Sequence, residues 1–120
     1  MDKINNALVN TVVEGMRDNK AHNITILDLR GVDGASADYY VIGEGSSNTQ
    51  VESIAESVVD RVREDLNDRP IHYEGRGNAS WILIDYHDVM AHVFLPEQRA
   101  FYDLEGLWSD GKRYDLPDDV

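Results

Sequence analysis

The chain predicts a single α/β domain built on a mixed sheet of about five strands flanked by helices, and three observations carry that reading. The stretch from Trp81 to Leu95 alternates in the manner of a β-hairpin, with His87-Asp88 as its turn. Apolar residues recur at steps of three and four over two other segments, the signature of amphipathic helices. The resulting order, α-β-β-α-β-β-β-α, places a long helix between the second and third strands, able to cross one sheet face. A chain of 120 residues with 42% hydrophobic content suits one compact core.

From Asp2 to about Asn19, Ile4, Leu8, Val12 and Met16 fall at i+4 steps, with Val9 and Val13 widening the stripe, so a helix with one buried face is expected. His22 to Arg30 contains Ile24, Ile26, Leu27 and Leu29 and predicts a mostly buried strand bounded by Gly31. A loop over Gly31–Asp38 leads to a second strand at Tyr39–Ile42, ended by Gly43-Glu44-Gly45. Ser47 and Gln50 have capping-box spacing, and Val51, Ile54, Ala55, Val58, Val62 and Leu66 supply the buried stripe of the next helix. Its outer face carries Glu52, Glu56, Asp60 and Glu64, like charges at i+4 that cost on the order of 0.2–0.5 kcal/mol per pair. Pro70 closes that helix, and Ile71–Glu74 reads as a short strand before a flexible Gly75–Ser80 turn.

In the hairpin, a His87-Asp88 turn pairs Trp81 with Phe94, Leu83 with His92 and Asp85 with Met90 on one face. The other face carries Ile82, Ile84, Tyr86, Val89, Ala91 and Val93 and has the composition of a buried surface. The mixed face is the one free to bind something. Pro96 and Glu97 suit a helix start, and Phe101, Leu104 and Trp108 at i, i+3, i+7 predict one helix pinned back on the sheet, with Gly106 as a stop. Tyr102 and Glu105 then lie together on an outward face. The segment after Trp108, SDGKRYDLPDDV, lacks periodicity and is expected to be a loosely attached acidic tail over 109–120.

Eleven basic against 23 acidic residues give a net charge of −12, which repels phosphate backbones and anionic lipid and disfavours direct nucleic-acid binding. There is no cysteine, so disulfides and thiolate metal sites are excluded. No apolar run reaches signal-peptide or bilayer-spanning length, and a soluble, cytoplasmic protein is expected.

Catalytic chemistry finds little support. The Gly43-x-Gly45-Ser46-Ser47 turn lies between a strand and a helix N-terminus, where amides can hold a phosphate, but it matches neither the Walker pattern nor GxGxxG and reads more simply as a capped turn. A nucleotidyl transferase needs paired metal-binding carboxylates, usually at i, i+2 on a strand, whereas Asp28 is followed there by Arg30 and Asp85 by His87. Asp85, His87, Asp88 and His92 suggest a metal cluster only weakly, since three of them belong to a turn. No catalytic residue, metal or cofactor is therefore assigned.

As an ordered set, several motifs point to a family. They are Ile26-Leu27-Asp28-Leu29-Arg30, Ala37-Asp38-Tyr39-Tyr40-Val41-Ile42, Gly45-x-Ser47-x-x-Gln50-Val51, Glu74-Gly75, Trp81-Ile82-Leu83-Ile84-Asp85-Tyr86-x-Asp88-Val89, His92-Val93-Phe94 and Phe101-Tyr102-x-Leu104-Glu105-x-Leu107-Trp108. Together they resemble the ribosomal silencing factor family, also called the Iojap family, over about residues 4 to 108. The resemblance implies a domain over 1–108 related to the nucleotidyltransferase fold without its catalytic carboxylates. It also implies binding to the fourteenth protein of the large ribosomal subunit, obstruction of subunit joining, repression of translation when nutrients are scarce, and a homodimer when free. The acidic tail and the acidic face of Glu52–Glu64 lie outside these motifs.

On this reading the partner-facing residues are Trp81, Leu83, Met90 and His92 from the mixed face of the hairpin, with Tyr102, Leu104 and Glu105 from the following helix. Two other classes remain open: a nucleotide-dependent transferase using the Gly43–Ser47 turn, and an adaptor dimer whose partner lies outside the ribosome.

Overall fold

A computed structural model describes residues 4–118. Two helices, α1 (Ala7–Asp18) and α2 (Asn48–Leu66), cover one face of a six-stranded sheet formed by β1 (His22–Asp28), β2 (Tyr39–Glu44), β3 (His72–Glu74), β4 (Trp81–Asp85), β5 (Val89–Phe94) and β6 (Lys112–Asp115). The strand order is β3-β4-β5-β2-β1-β6. Among the described residues only β2 and β5 run parallel, and the chain between them includes α2, the crossover that such a pairing requires. The mixed α/β sheet predicted from sequence is therefore present, with one strand more than expected.

The main core lies between the helices and the sheet. Val9, Val12 and Met16 from α1 and Val51, Ile54, Val58 and Val62 from α2 meet Ile24, Ile26, Val41, Ile82, Ile84, Val89, Ala91 and Val93. The hairpin register is the expected one, Trp81 against Phe94, Leu83 against His92 and Asp85 against Met90, and the Ile82/Ile84 face is wholly buried. The two helices approach closely at Gly15, where a Cβ would lie 2.7 Å from the Cα of Val58. Asn19 donates to Ser57 Oγ at the same crossing.

The second strand runs on to Glu44 rather than ending at Ile42, and three further boundaries differ from expectation. Asn6 caps α1 by accepting from the amide of Val9 at 3.0 Å, so the helix starts at Ala7, and the predicted start at Asp2 lies outside the described residues. The segment after Trp108 is not a loose tail, because Lys112–Asp115 pairs antiparallel with β1, aligning Thr25 with Asp115 and Asp28 with Lys112. Its short, charged sequence conceals the strand from a periodicity count; β1 supplies the ladder. The single helix expected over Pro96–Trp108 is instead two, α3 (Pro96–Tyr102) and α4 (Leu104–Leu107), separated by Asp103 in the left-handed region at φ 46°. Gly106, expected as the stop, lies within α4, where its amide donates to the capping carboxylate of Asp103 at 3.1 Å.

Candidate functional site

The second face of the sheet carries a smaller core of Leu27, Leu29, Tyr40, Ile42, Phe94 and Leu104, bordered by Trp81, Met90 and Trp108. Side chains alternate along β4 and β5, so Trp81, Leu83, Met90, His92 and Phe94 all project to this side. Aromatic rings then form a continuous layer. Trp81 stacks on Phe94 with centroids 5.0 Å apart, meets Tyr102 at 4.5 Å, and Tyr102 meets Phe101 edge-on at 5.1 Å. Tyr40 touches His92 at 4.7 Å and Trp108 at 6.1 Å.

His92 sits beneath this layer. Its Nδ1 accepts a hydrogen bond from Trp81 Nε1 at 3.1 Å, which leaves the proton of the neutral ring on Nε2, a buried atom without a partner among the described residues. Burial pushes its pKa down to about 3, against a smaller opposing pull from Asp85. The imidazole is thus neutral at physiological pH and serves as an acceptor that fixes the indole.

Of the residues assigned to the partner face, Trp81, Leu83 and Met90 are half-buried and Tyr102 is exposed, while His92 and Leu104 are buried. Those last two support the face from below rather than form it. Glu105 is also turned inward: its Oε2 accepts from Arg99 Nε at 3.0 Å. Phe101, expected to pin the helix, is instead 79% exposed. The break at Asp103 resets the helical phase, so only Leu104 and Trp108 of that i, i+3, i+7 set reach the sheet. Leu107, 69% exposed, joins Phe101 and Tyr102 on the outer surface of α3 and α4.

Arg99 is the residue that sequence reasoning missed. It is buried, and its guanidinium also donates to Glu44 Oε1 at 3.2 Å, to Thr25 Oγ1 at 3.0 Å and to the carbonyl of Asn23. A single arginine amid the charges of a predicted surface helix carries no periodic signal for this.

The residues weighed for other chemistries are engaged in local contacts. In the Gly43–Ser47 turn, the amide of Gly45 donates to Phe94 O, that of Ser46 donates to Gln50 Oε1, and Ser47 Oγ accepts from the amide of Gln50. The Gln side chain of the capping box thus reaches Ser46, one residue before the cap. A Cβ on Gly43 would lie 2.9 Å from Met16 Sδ and one on Gly45 2.9 Å from Val51 N, so both glycines answer to close packing. Asp28 is held by Arg30 through Oδ1 and Oδ2 at 3.0 and 2.8 Å, which keeps its carboxyl below the usual range. Asp85 accepts from the amide of His87 at 2.7 Å, and among the described residues no three potential metal ligands converge. No helix among them is long and apolar enough to cross a membrane.

Comparison with known proteins agrees with the fold and with the motif set. A family profile described as "Ribosomal silencing factor during starvation" matches residues 2–120. The ribosomal silencing factor RsfS of Halalkalibacterium halodurans is 35% identical over 112 residues, covering 93% of this chain and 94% of that protein. RsfS of Bacillus subtilis is 38% identical, with 82% of each chain covered. A crystal structure of a Chromobacterium violaceum protein superimposes with a TM-score of 0.80 at 31% identity, covering 94% of this chain and 90% of that one. The chain belongs to the ribosomal silencing factor family.

Proposed function

We propose that this protein is a cytoplasmic translation repressor that docks on the large ribosomal subunit through its fourteenth protein and blocks association with the small subunit. The observation that carries this reading is the aromatic surface of Trp81, Phe101 and Tyr102, with the exposed Leu107 on the following helix, on the sheet face that α1 and α2 leave uncovered. Exposed large aromatics around a rigid strand pair are the usual anchors of a protein interface. Leu83 and Met90 extend the contact, while His92, Leu104 and Glu105 hold it from behind. A net charge of −12 favours a protein over ribosomal RNA as the main anchor. The action is steric, and no catalytic step is assigned to it.

Co-sedimentation with purified, separated subunits tests the reading. The protein should travel with large subunits alone and prevent joining at saturation; binding to small subunits only, or unimpaired joining, overturns it. The same apolar surface supports self-association of the free protein. Sedimentation equilibrium at micromolar concentration should show a dimer, and a concentration-independent monomer mass rejects that part.

A further inference from the structure

The platform that presents Phe101, Tyr102 and Leu107 is anchored hydrophobically only at Leu104, Trp108 and the contact of Tyr102 with Trp81. α3 has seven residues and a single buried one, Arg99; α4 has four residues and a single buried one, Leu104. Helices this short do not persist without tertiary support.

We infer that Arg99 is the positioning residue of the docking surface, an ionic lock that holds α3 and α4 together and fastens both to strands β1 and β2. Its Nε bonds Glu105 of α4, its Nη1 bonds Glu44 of β2 and the Asn23 carbonyl of β1, and its Nη2 bonds the Thr25 hydroxyl of β1. Thr25 accepts from Arg99 and donates to Asp115 Oδ1 at 2.7 Å, so the network continues into β6. The guanidinium fork meets partners on three other elements at once, β1, β2 and α4, a geometry that the point charge of a lysine does not reproduce. Two carboxylates flank one buried cation, so removing the cation leaves both of them uncompensated beneath the platform. The sensitivity to loss of Arg99 therefore falls on α3 and α4, whereas the α1/α2 core shares none of these residues.

This inference rests on the docking role proposed above, and the experiment separates the two. Arg99→Met, Arg99→Lys, Glu105→Gln and Tyr102→Ala are compared by amide hydrogen exchange on the free full-length protein and by co-sedimentation with large subunits. For Arg99→Met, amides over residues 97–107 should exchange at least tenfold faster while those of 51–62 keep the parent rate, and large-subunit binding should weaken at least tenfold. Arg99→Lys should fall between parent and Met in both readouts. Glu105→Gln, which keeps the shape of its side chain, should accelerate exchange over the same segment and covers the case in which Arg99→Met does not fold. Parent rates over 97–107, or acceleration spread equally into 51–62, overturn the inference. So does normal binding by a locally loosened Arg99→Met when Tyr102→Ala binding is lost. Normal binding by Tyr102→Ala as well refutes the docking role instead, and the exchange data alone then decide whether Arg99 orders the platform.

Discussion

Trp81 donates its indole hydrogen to Nδ1 of His92, and the bond joins a half-buried aromatic of the outer face to a neutral, buried imidazole. The acceptor role exists only while His92 is unprotonated. Its folded-state pKa of about 3 lies below the 6.5 of the unfolded chain, so from pH 6.5 down toward 3 the unfolded state binds the extra proton and stability is lost as pH falls. Above 6.5 this contribution is complete and flat. Between pH 7 and 5 it removes about 2 kcal/mol. Asp28 and Asp115, held below the usual carboxylate value of 3.8, lose their contributions only at lower pH. His92→Asn retains an acceptor near the Nδ1 position and does not titrate, so its denaturation midpoint should vary less between pH 7 and 5 than the parent's; parallel curves count against the assignment.

The two faces of the hairpin should respond oppositely to truncation. Ile84 is wholly buried in the α1/α2 core, and Ile84→Ala should cost about 2–5 kcal/mol of folding stability. Tyr102 is 45% exposed, and Tyr102→Ala should weaken large-subunit binding by on the order of 2 kcal/mol with a melting temperature near the parent's. Trp81→Ala should lower both, since the indole covers Phe94 and satisfies His92. Melting and binding measured on the same preparations decide it.

Gly15→Ala should destabilise the protein although alanine is the better helix former. The added methyl has Val58 Cα at 2.7 Å and Ser57 O at 3.1 Å, backbone atoms that yield only if α1 and α2 separate. Overpacking of this kind costs about 1–3 kcal/mol, more than the roughly 1 kcal/mol of helix propensity gained. Urea denaturation should show a lower midpoint; a higher one rejects the close crossing.

Removing residues 109–120 should do more than shorten an acidic tail. It strips β1 of its outer neighbour from Thr25 to Asp28 and uncaps the Thr25–Asp115 bond. The truncated protein should melt several degrees lower and associate through the bared edge, as light scattering would record. Unchanged melting and the parent's own association state would argue that β6 is dispensable.

Where the chain is regular, its sequence already contains the structure. Period two in Trp81–Leu95 sets the register down to the pairing of Leu83 with His92, and the stripe from Val51 to Val62 is the buried side of α2. Leu66, expected in that stripe, is 38% exposed at the end of α2, and the larger errors arise where a local choice is made by distant partners. Phe101 faces outward because Asp103 adopts a left-handed conformation that spacing cannot reveal, and Glu105 faces inward because Arg99 awaits it. Lys112–Asp115 becomes a strand because β1 has a free edge, and Leu104 packs on the sheet as its spacing predicts, beneath the partner-facing surface rather than in it. The candidate face was legible in its aromatics and not in the arginine beneath them.

The pairing of β1 with β6 also sets a clock. Thr25 and Asp115 are ninety positions apart, whereas β1 and β2 join across a short loop, so the sheet's outer ladder closes a far longer chain segment than its neighbour does. At synthesis rates of about 5–20 residues per second, the interval between the emergence of the two partners is on the order of ten seconds. During that time β1 has an open edge beside the translating ribosome, and the slower the ribosome runs, the longer the nascent protein waits for β6.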